Sequence, residues 1–346
     1  MKLSFEPYIL KFKKPGGTSR GVLTEKLTYI LKLETNGKVY LGECGLFKGL
    51  SADDVPNYEE KLQWACEQYP QKSLDDLWEE LREFPSIQFG LEQVYQSFRF
   101  NQYNDDYNDP YNPDLFESAF KNGENGILIN GLIWMGEVDF MKAQIDEKLK
   151  AGFRCIKIKI GVNWEAEYQI LKELRTHFPA EKLEIRVDAN GGFSFTEAQK
   201  VLEQLAPLAI HSIEQPIKAH QIEEMAKLCA QTPVPIALDE ELIGVFGRHE
   251  KYNLLATIRS QYIILKPSLV GGIRGSLEWI ECCDQLGIDF WITSALESNL
   301  GLNAIAQWTA ILYPTMPQGL GTGGLFTNNF DSRLQVIGDQ LFRNKN

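Results

Sequence analysis

The sequence predicts an α/β protein in which a (β/α) barrel follows a smaller α+β domain, and three observations carry that prediction. After Gly126, eight short apolar segments alternate with helix-sized stretches. Five of those segments run into a charged residue at nearly constant intervals. Before that point the chain reads as a group of strands followed by a group of helices, which is the α+β pattern.

The chain has 346 residues, and a barrel alone takes roughly 250. The excess leaves room for one companion domain. Its strands are read in LSFEPYILKF, LTYILKLE and VYLGECGLF, and Asn36-Gly37 between the last two is a hairpin signal. Gly16 to Gly21 (GGTSRG) reads as a mobile loop joining the first two strands and placed to act as a lid. Between Asn57 and Phe98 the apolar residues recur at helical spacing, predicting two or three helices. NQYNDDYNDPYNPD, from Asn101 to Asp114, has no period and reads as a linker. The predicted division is 1–120 for the α+β domain and 121–324 for the barrel, with the tail at about 325–346 returning to pack on the first domain.

The barrel strands are read in ILINGLIW, CIKIKIG, LEIRVDANG, IHSIEQP, VPIALDEEL, YIILKPSLVGG, DFWITSALES and MPQGLGTGG. In IKIKI, Lys157 and Lys159 fall on one face of a strand, because alternate side chains point the same way. Lys159 to Asp188 is 29 residues, then 26 to Glu214, 25 to Asp239 and 27 to Lys266, each about one βα unit. These charges stand at the carboxyl ends of successive strands, where barrel active sites are built. Lysines in such company are expected to have shifted pKa values, and one lowered toward neutrality is a competent general base. Asp188, Glu214 and Asp239 offer hard oxygen ligands suited to Mg²⁺ or Mn²⁺. Arg186 and Asn190 share strand parity with Asp188 and join the candidates.

The net charge of −12 excludes a nucleic-acid-binding role, since phosphate binding needs a concentrated basic face. A small-molecule substrate is expected instead. The six cysteines form no CxxC pair, and the four histidines have no metal-ligand spacing. No apolar run matches a signal peptide or a membrane span, so a cytoplasmic protein is predicted. No stripe beyond the barrel helices marks an oligomer interface. Gly319 to Gly324 fits GxGxxG, yet only a short tail follows it, leaving no βαβ nucleotide unit. Its amides at Gly321 and Thr322 are candidates for binding a substrate carboxylate at the barrel rim. Ser294 and Glu297, after the seventh segment, are candidate substrate contacts.

Lys-x-Lys after one strand, carboxylates in VDANGGF, SIEQP and ALDEE, and a lysine in ILKPSLVGG together resemble the enolase superfamily in its muconate-lactonizing branch. The resemblance covers nearly the whole chain and implies a (β/α)7β TIM-like barrel under an N-terminal α+β capping domain. TSRG, FGLE, NGLIWMG, TSALESNLGLNAIAQW and QGLGTGGLFTNN are most similar to the o-succinylbenzoate synthase family of that branch. That likeness implies an Mg²⁺-dependent dehydratase of menaquinone biosynthesis, acting on succinyl hydroxycyclohexadiene carboxylate (SHCHC). It implies Lys159 as the base α to the carboxylate, Lys157 tuning it, Lys266 opposite, Asp188, Glu214 and Asp239 on the metal, and Ser19 and Arg20 among the substrate contacts. Proton abstraction to a metal-stabilised enediolate is the superfamily's known chemistry, not a reading of the spacing. Racemases and epimerases of the branch share the paired lysines. Against a dipeptide epimerase, GLGTGG has no Asp-x-Asp; against a mandelate-type racemase, DFWITSALES has no histidine. N-succinylamino acid racemisation stays open beside dehydration. A non-catalytic barrel would have lost a lysine or a carboxylate, and all are present here.

Overall fold

The computed structural model describes residues 1–18 and 21–345. The chain begins with an antiparallel meander of β1 (Lys2–Thr18), β2 (Gly21–Thr35) and β3 (Lys38–Cys44). Asn36 and Gly37 both take left-handed φ, 50° and 74°, so the turn between β2 and β3 has the twist that two-residue hairpins require. The GGTSRG stretch is less of a loop than expected. Gly16, Gly17 and Thr18 pair with Leu23, Val22 and Gly21, so the hairpin continues almost to its tip, past an irregularity between Lys11 and Gly16.

Three helices follow: α1 (Tyr58–Gln68), α2 (Leu74–Glu80) and α3 (Pro85–Asn101). Ser73 caps α2 by accepting from the Asp76 amide, and Pro85 opens α3 at a position whose missing N–H costs nothing. Leu62, Ala65, Leu77, Leu91 and Val94 meet the inner face of the sheet around Leu31, Leu33 and Tyr40. Phe89, on the same helix α3, belongs to the barrel core, so α3 is packed on both sides.

The barrel elements are β4 (Ile127–Leu128), β5 (Gly131–Ile133), α4 (Val138–Lys150), β6 (Cys155–Lys159), α5 (Trp164–His177), β7 (Glu184–Asp188) and α6 (Phe195–Leu205). They continue with β8 (Ser212–Glu214), α7 (Ile222–Gln231), β9 (Ile236–Leu238), α8 (Arg248–Ile258), β10 (Tyr262–Leu265), α9 (Pro267–Val270), α10 (Gly272–Leu286), β11 (Asp289–Ile292) and α11 (Asn299–Ile311). Strands β5 to β11 form one parallel sheet in chain order. Ile156, Ile158, Ile185, Val187, Ile213, Ile236 and Ile263 are buried against the helices, while the lysines and carboxylates alternate onto the inner face.

The eighth segment pairs through only two residues. The Gln318 amide donates to Leu128 O at 2.8 Å and the Gly319 amide to Ile292 O at 2.8 Å, joining the first strand to the seventh and closing the barrel. MPQGLGTGG, with four glycines in nine residues, does not sustain a longer strand. The first segment is likewise split, since β4 pairs with the C-terminal hairpin and β5 with β6.

After the closure, the chain passes along β1, where Thr327 N donates to Lys11 O at 2.8 Å and Lys13 N to Leu325 O at 2.8 Å. It ends in a hairpin, β12 (Leu334–Ile337) and β13 (Gln340–Arg343), added to β4 at the barrel. Two carboxylates from the first domain cap barrel helices. Glu43 of β3 accepts from Ser298 N and Gly301 N at the start of α11, and Glu92 of α3 accepts from Ile273 N and Arg274 N at the start of α10.

Candidate active site

Strand register brings the charges together. Lys159 lies opposite Asp188, and Asp188 opposite Glu214, while Asp239 and Lys266 directly follow β9 and β10. Lys159 Nζ donates to Asp188 Oδ2 at 2.8 Å and Asn190 Oδ1 at 2.6 Å. Lys157 Nζ donates to Glu214 Oε2 at 2.7 Å and stands 3.4 Å from Asp188 Oδ2; Lys266 donates to Asp239. All six are buried or nearly so.

Outer contacts hold this layer. Asn190 donates from its amide nitrogen to Glu240 Oε1 at 3.0 Å and from its backbone to Asp188 Oδ1 at 3.1 Å. Gln215 Oε1 accepts from the Asp239 and Glu241 backbones. Asn190, Gln215 and Leu296 all carry positive φ, 43°, 40° and 60°, a concentration of unfavourable backbone beside the site strands.

Above the charges lies a pocket that opens toward the first domain. Lys157, Lys159, Asp188, Asn190 and Lys266 are in its lining, and Leu132, Trp134, Ala295 and Leu296 supply apolar wall from the barrel. The first domain adds Leu23, Phe47 and Leu50. Gly321, Thr322 and Ser294 close one side, with Ser294 Oγ 2.7 Å from Thr322 Oγ1. The site is thus a charged floor beneath an apolar chamber built by both domains.

Residues 140–332 match the family model described as enolase C-terminal domain-like. Over 99% of this chain and 98% of the relative, the sequence is 45% identical to the o-succinylbenzoate synthase of Desulfotalea psychrophila. The crystal structure of MenC from the same organism superposes with a TM-score of 0.84 at 41% identity, covering 99% of each chain. The chain belongs to the o-succinylbenzoate synthase family. Synthases of this family are lyases within the enolase superfamily. A dipeptide epimerase from Enterococcus faecalis, solved with Mg and the dipeptide L-Leu-L-Tyr, has a TM-score of 0.82 at 19% identity, covering 99% of this chain and 96% of that one, and so shares the fold.

Burial and neighbouring charge compete at Lys157, Lys266, Asp188 and Glu214. Burial opposes charge on Lys157 and Lys266, but the carboxylates facing them outweigh it, and both ammonium groups are held above the usual lysine range. Neither is lowered toward neutrality. Burial alone would raise Asp188, yet Lys159 and Lys157 hold it well below the usual carboxylate range. Burial, and then the charge of Asp188, push Glu214 up to about 8. Among the described residues no three acids are drawn into a ready-made metal cluster, because Asp188, Glu214 and Asp239 each turn an oxygen to a lysine. The donor set nevertheless fits a divalent cation. Glu214 Oε1 is buried without a hydrogen-bond partner, and Glu214 feels the repulsion of both Asp188 and Asp239, which a cation between them would relieve.

Two sequence candidates lie elsewhere. Arg186 has the parity of Asp188 but sits two residues earlier, about 7 Å deeper in the barrel. There it donates to Glu184 Oε1 at 2.6 Å and Pro317 O at 2.9 Å and stacks over Trp291 at 4.4 Å, away from the cavity lining. Glu297 is fully buried where the two domains meet, accepting from Ser268 Oγ at 2.5 Å, and is not part of the lining. Ser19 and Arg20 lie outside the described residues. Glu240 was missed, although it directly follows Asp239 in the LDEE run. Leu23, Phe47, Leu50 and Leu132 carry no chemical signature that a sequence reading could single out.

Proposed function

We propose that this chain dehydrates SHCHC to o-succinylbenzoate, with Lys159 as the base, Lys266 opposite it, and Asp188, Glu214 and Asp239 holding Mg²⁺. The observation that carries the reading is the pairing of two lysines, from β6 and from the end of β10, in one apolar-walled cavity that Asp188 also lines, with Glu214 and Asp239 bonded to the lysines beside it. A bound divalent cation would engage these carboxylates and the substrate carboxylate, neutralising charge that builds there as the adjacent proton leaves.

Lys159 Nζ takes the proton α to that carboxylate, and the C–H electrons move onto the carboxylate group. Asn190, fixed by Glu240, keeps Nζ aimed when Asp188 is otherwise engaged. The C–O bond of the neighbouring hydroxyl then breaks as the ring double bond forms, and Lys159 returns its proton to the departing oxygen as water. Lys157, two residues earlier on the same strand face, helps orient Lys159, and Lys266 places positive charge across the ring from it. Gly321, Thr322 and Ser294 face the substrate's polar groups, while Leu23, Phe47, Leu132 and Leu296 enclose its apolar part and exclude water.

Lysines on opposing strands also suit racemisation of an N-succinylamino acid, and one experiment separates the readings. Purified protein is given SHCHC and Mg²⁺, with N-succinylamino acid racemisation followed in parallel and Lys159→Ala as control. Metal-dependent formation of o-succinylbenzoate, lost in the variant, is expected; racemisation alone would move the function to a racemase. Among the described residues no helix is long and apolar enough to cross a membrane, and all six cysteines are free and buried. Free thiols fit a reducing compartment, and we infer a cytoplasmic enzyme.

A further inference from the structure

Glu297 belongs to a buried charged cluster at the junction of the two domains. On β2, Lys26 and Thr28 share a face by strand alternation. Thr28 Oγ1 donates to Glu43 Oε1 at 2.8 Å, so that face looks onto the junction. Glu43 in turn holds Ser298, the residue after Glu297. Gly45 lies so close to the barrel that a Cβ there would meet Ser268 Oγ at 2.6 Å and Glu297 Cγ at 3.0 Å. Gly301 is similarly wedged between Glu297 and Glu43.

Within this packed junction two ionisable atoms have no hydrogen-bond partner among the described residues: Lys26 Nζ and Glu297 Oε2. Lys26 is 6% exposed and Glu297 fully buried. The charges of Glu297 and Glu43 act on Lys26, against the larger effect of its burial. Buried ammonium and carboxylate groups left short of partners are costly, and an apolar pair of the same shape would be more stable. Stability therefore does not account for them.

Their position does. Lys26 Nζ lies 5.9 Å from the centre of the Phe47 ring, and Phe47 and Leu23, three residues before Lys26, form the first domain's wall of the cavity. Glu297 follows the barrel's wall residues Ala295 and Leu296 and, through Ser268, touches the turn that begins with Lys266. We propose that Lys26 and Glu297 are a positioning pair that sets the Leu23–Phe47 wall of the first domain against the Leu296 wall and Lys266 of the barrel, fixing the width of the chamber that receives the substrate's apolar part. The proposal rests on the synthase reading for its substrate, but the positioning itself does not depend on which reaction occurs.

The test compares the full-length protein with Lys26→Met, Glu297→Gln and the double variant. Thermal unfolding of the double variant should be unchanged or raised. KM for SHCHC should rise about tenfold or more in each single variant while kcat stays within about threefold, and the double variant should be no worse than the poorer single one. Hydrogen exchange of residues 21–25 and 45–51 should quicken in Lys26→Met, whatever the substrate. A Lys26→Met protein with unaltered KM and exchange, or one that simply melts earlier with KM unchanged, would overturn the proposal. Wild-type protein inert toward SHCHC would sink the synthase reading instead, and the exchange measurement would still decide the positioning role.

Discussion

Glu43→Gln tests how the first domain is fastened to the barrel. Four donors converge on this buried carboxylate: Thr28 Oγ1 at 2.8 Å and Ser298 N at 3.0 Å on one oxygen, Ser298 Oγ at 2.5 Å and Gly301 N at 3.0 Å on the other. Glutamine keeps the shape and supplies one acceptor oxygen. In either orientation its NH₂ faces one backbone N–H that cannot turn away, whereas the hydroxyls of Thr28 and Ser298 can rotate. One orphaned buried donor costs about 1–3 kcal/mol. Losing the negative charge at the start of α11 costs about another 0.3–1 kcal/mol. The expected loss is about 1–4 kcal/mol, or roughly 2–6 °C in Tm for a chain of this size. Urea unfolding followed by circular dichroism at pH 7 measures it, with exposed Glu60→Gln as the control. A Glu43→Gln protein within about 0.5 kcal/mol of wild type would refute the view that this carboxylate staples the domains.

Lys159→Ala should remove at least about a thousandfold of kcat while leaving the far-ultraviolet spectrum intact, because the proposed base lines the cavity on the inner barrel face; a residual activity above a tenth would assign the base elsewhere. Chelation should abolish turnover and added Mg²⁺ restore it, and Glu214→Gln should weaken Mg²⁺ binding in calorimetry at least about tenfold; equal affinity would remove Glu214 from the metal site. Burial outweighs the Ile273 and Arg274 amides and pushes Glu92 up to about 8, so the folded protein retains there a proton that the unfolded chain gives up near pH 4. That contribution to stability is full below about pH 4 and lost as pH rises through about 8, so wild type should weaken relative to Glu92→Gln between pH 6 and 9; parallel profiles would count against it. Gly272→Ala would place a Cβ 2.1 Å from Glu92 Oε2 at a φ of +70°, and should destabilise by about 1–3 kcal/mol in the same urea assay, an unchanged midpoint being the contrary result.

The layer of charge was legible in the sequence because each of its members ends or follows a strand, and strand ends recur at the length of a βα unit. The Asn36-Gly37 hairpin was legible because its backbone demand is local. Depth was not. Parity assigns Arg186 to the inner face but cannot separate the mouth from the layer beneath, where Trp291 receives it. Glu297 was misread because its surroundings come from Gly45 and Lys26, some 250–270 residues away, which no local pattern announces. The carboxylates that identified the site also raise Lys157 and Lys266, an effect that depends on distances of 2.7–3.4 Å rather than on residue type.

The two-residue closure at Gln318 and Gly319 makes the seal of the sheet rest on very little backbone. The stretch from 318 to 341 seals the sheet, floors β4 and hydrogen-bonds β1. Without it, β5 and β11 would be raw sheet edges, open to pairing with other chains. A truncation after Ile311 would spare every lysine and carboxylate of the proposed site, yet leave an open sheet prone to aggregate.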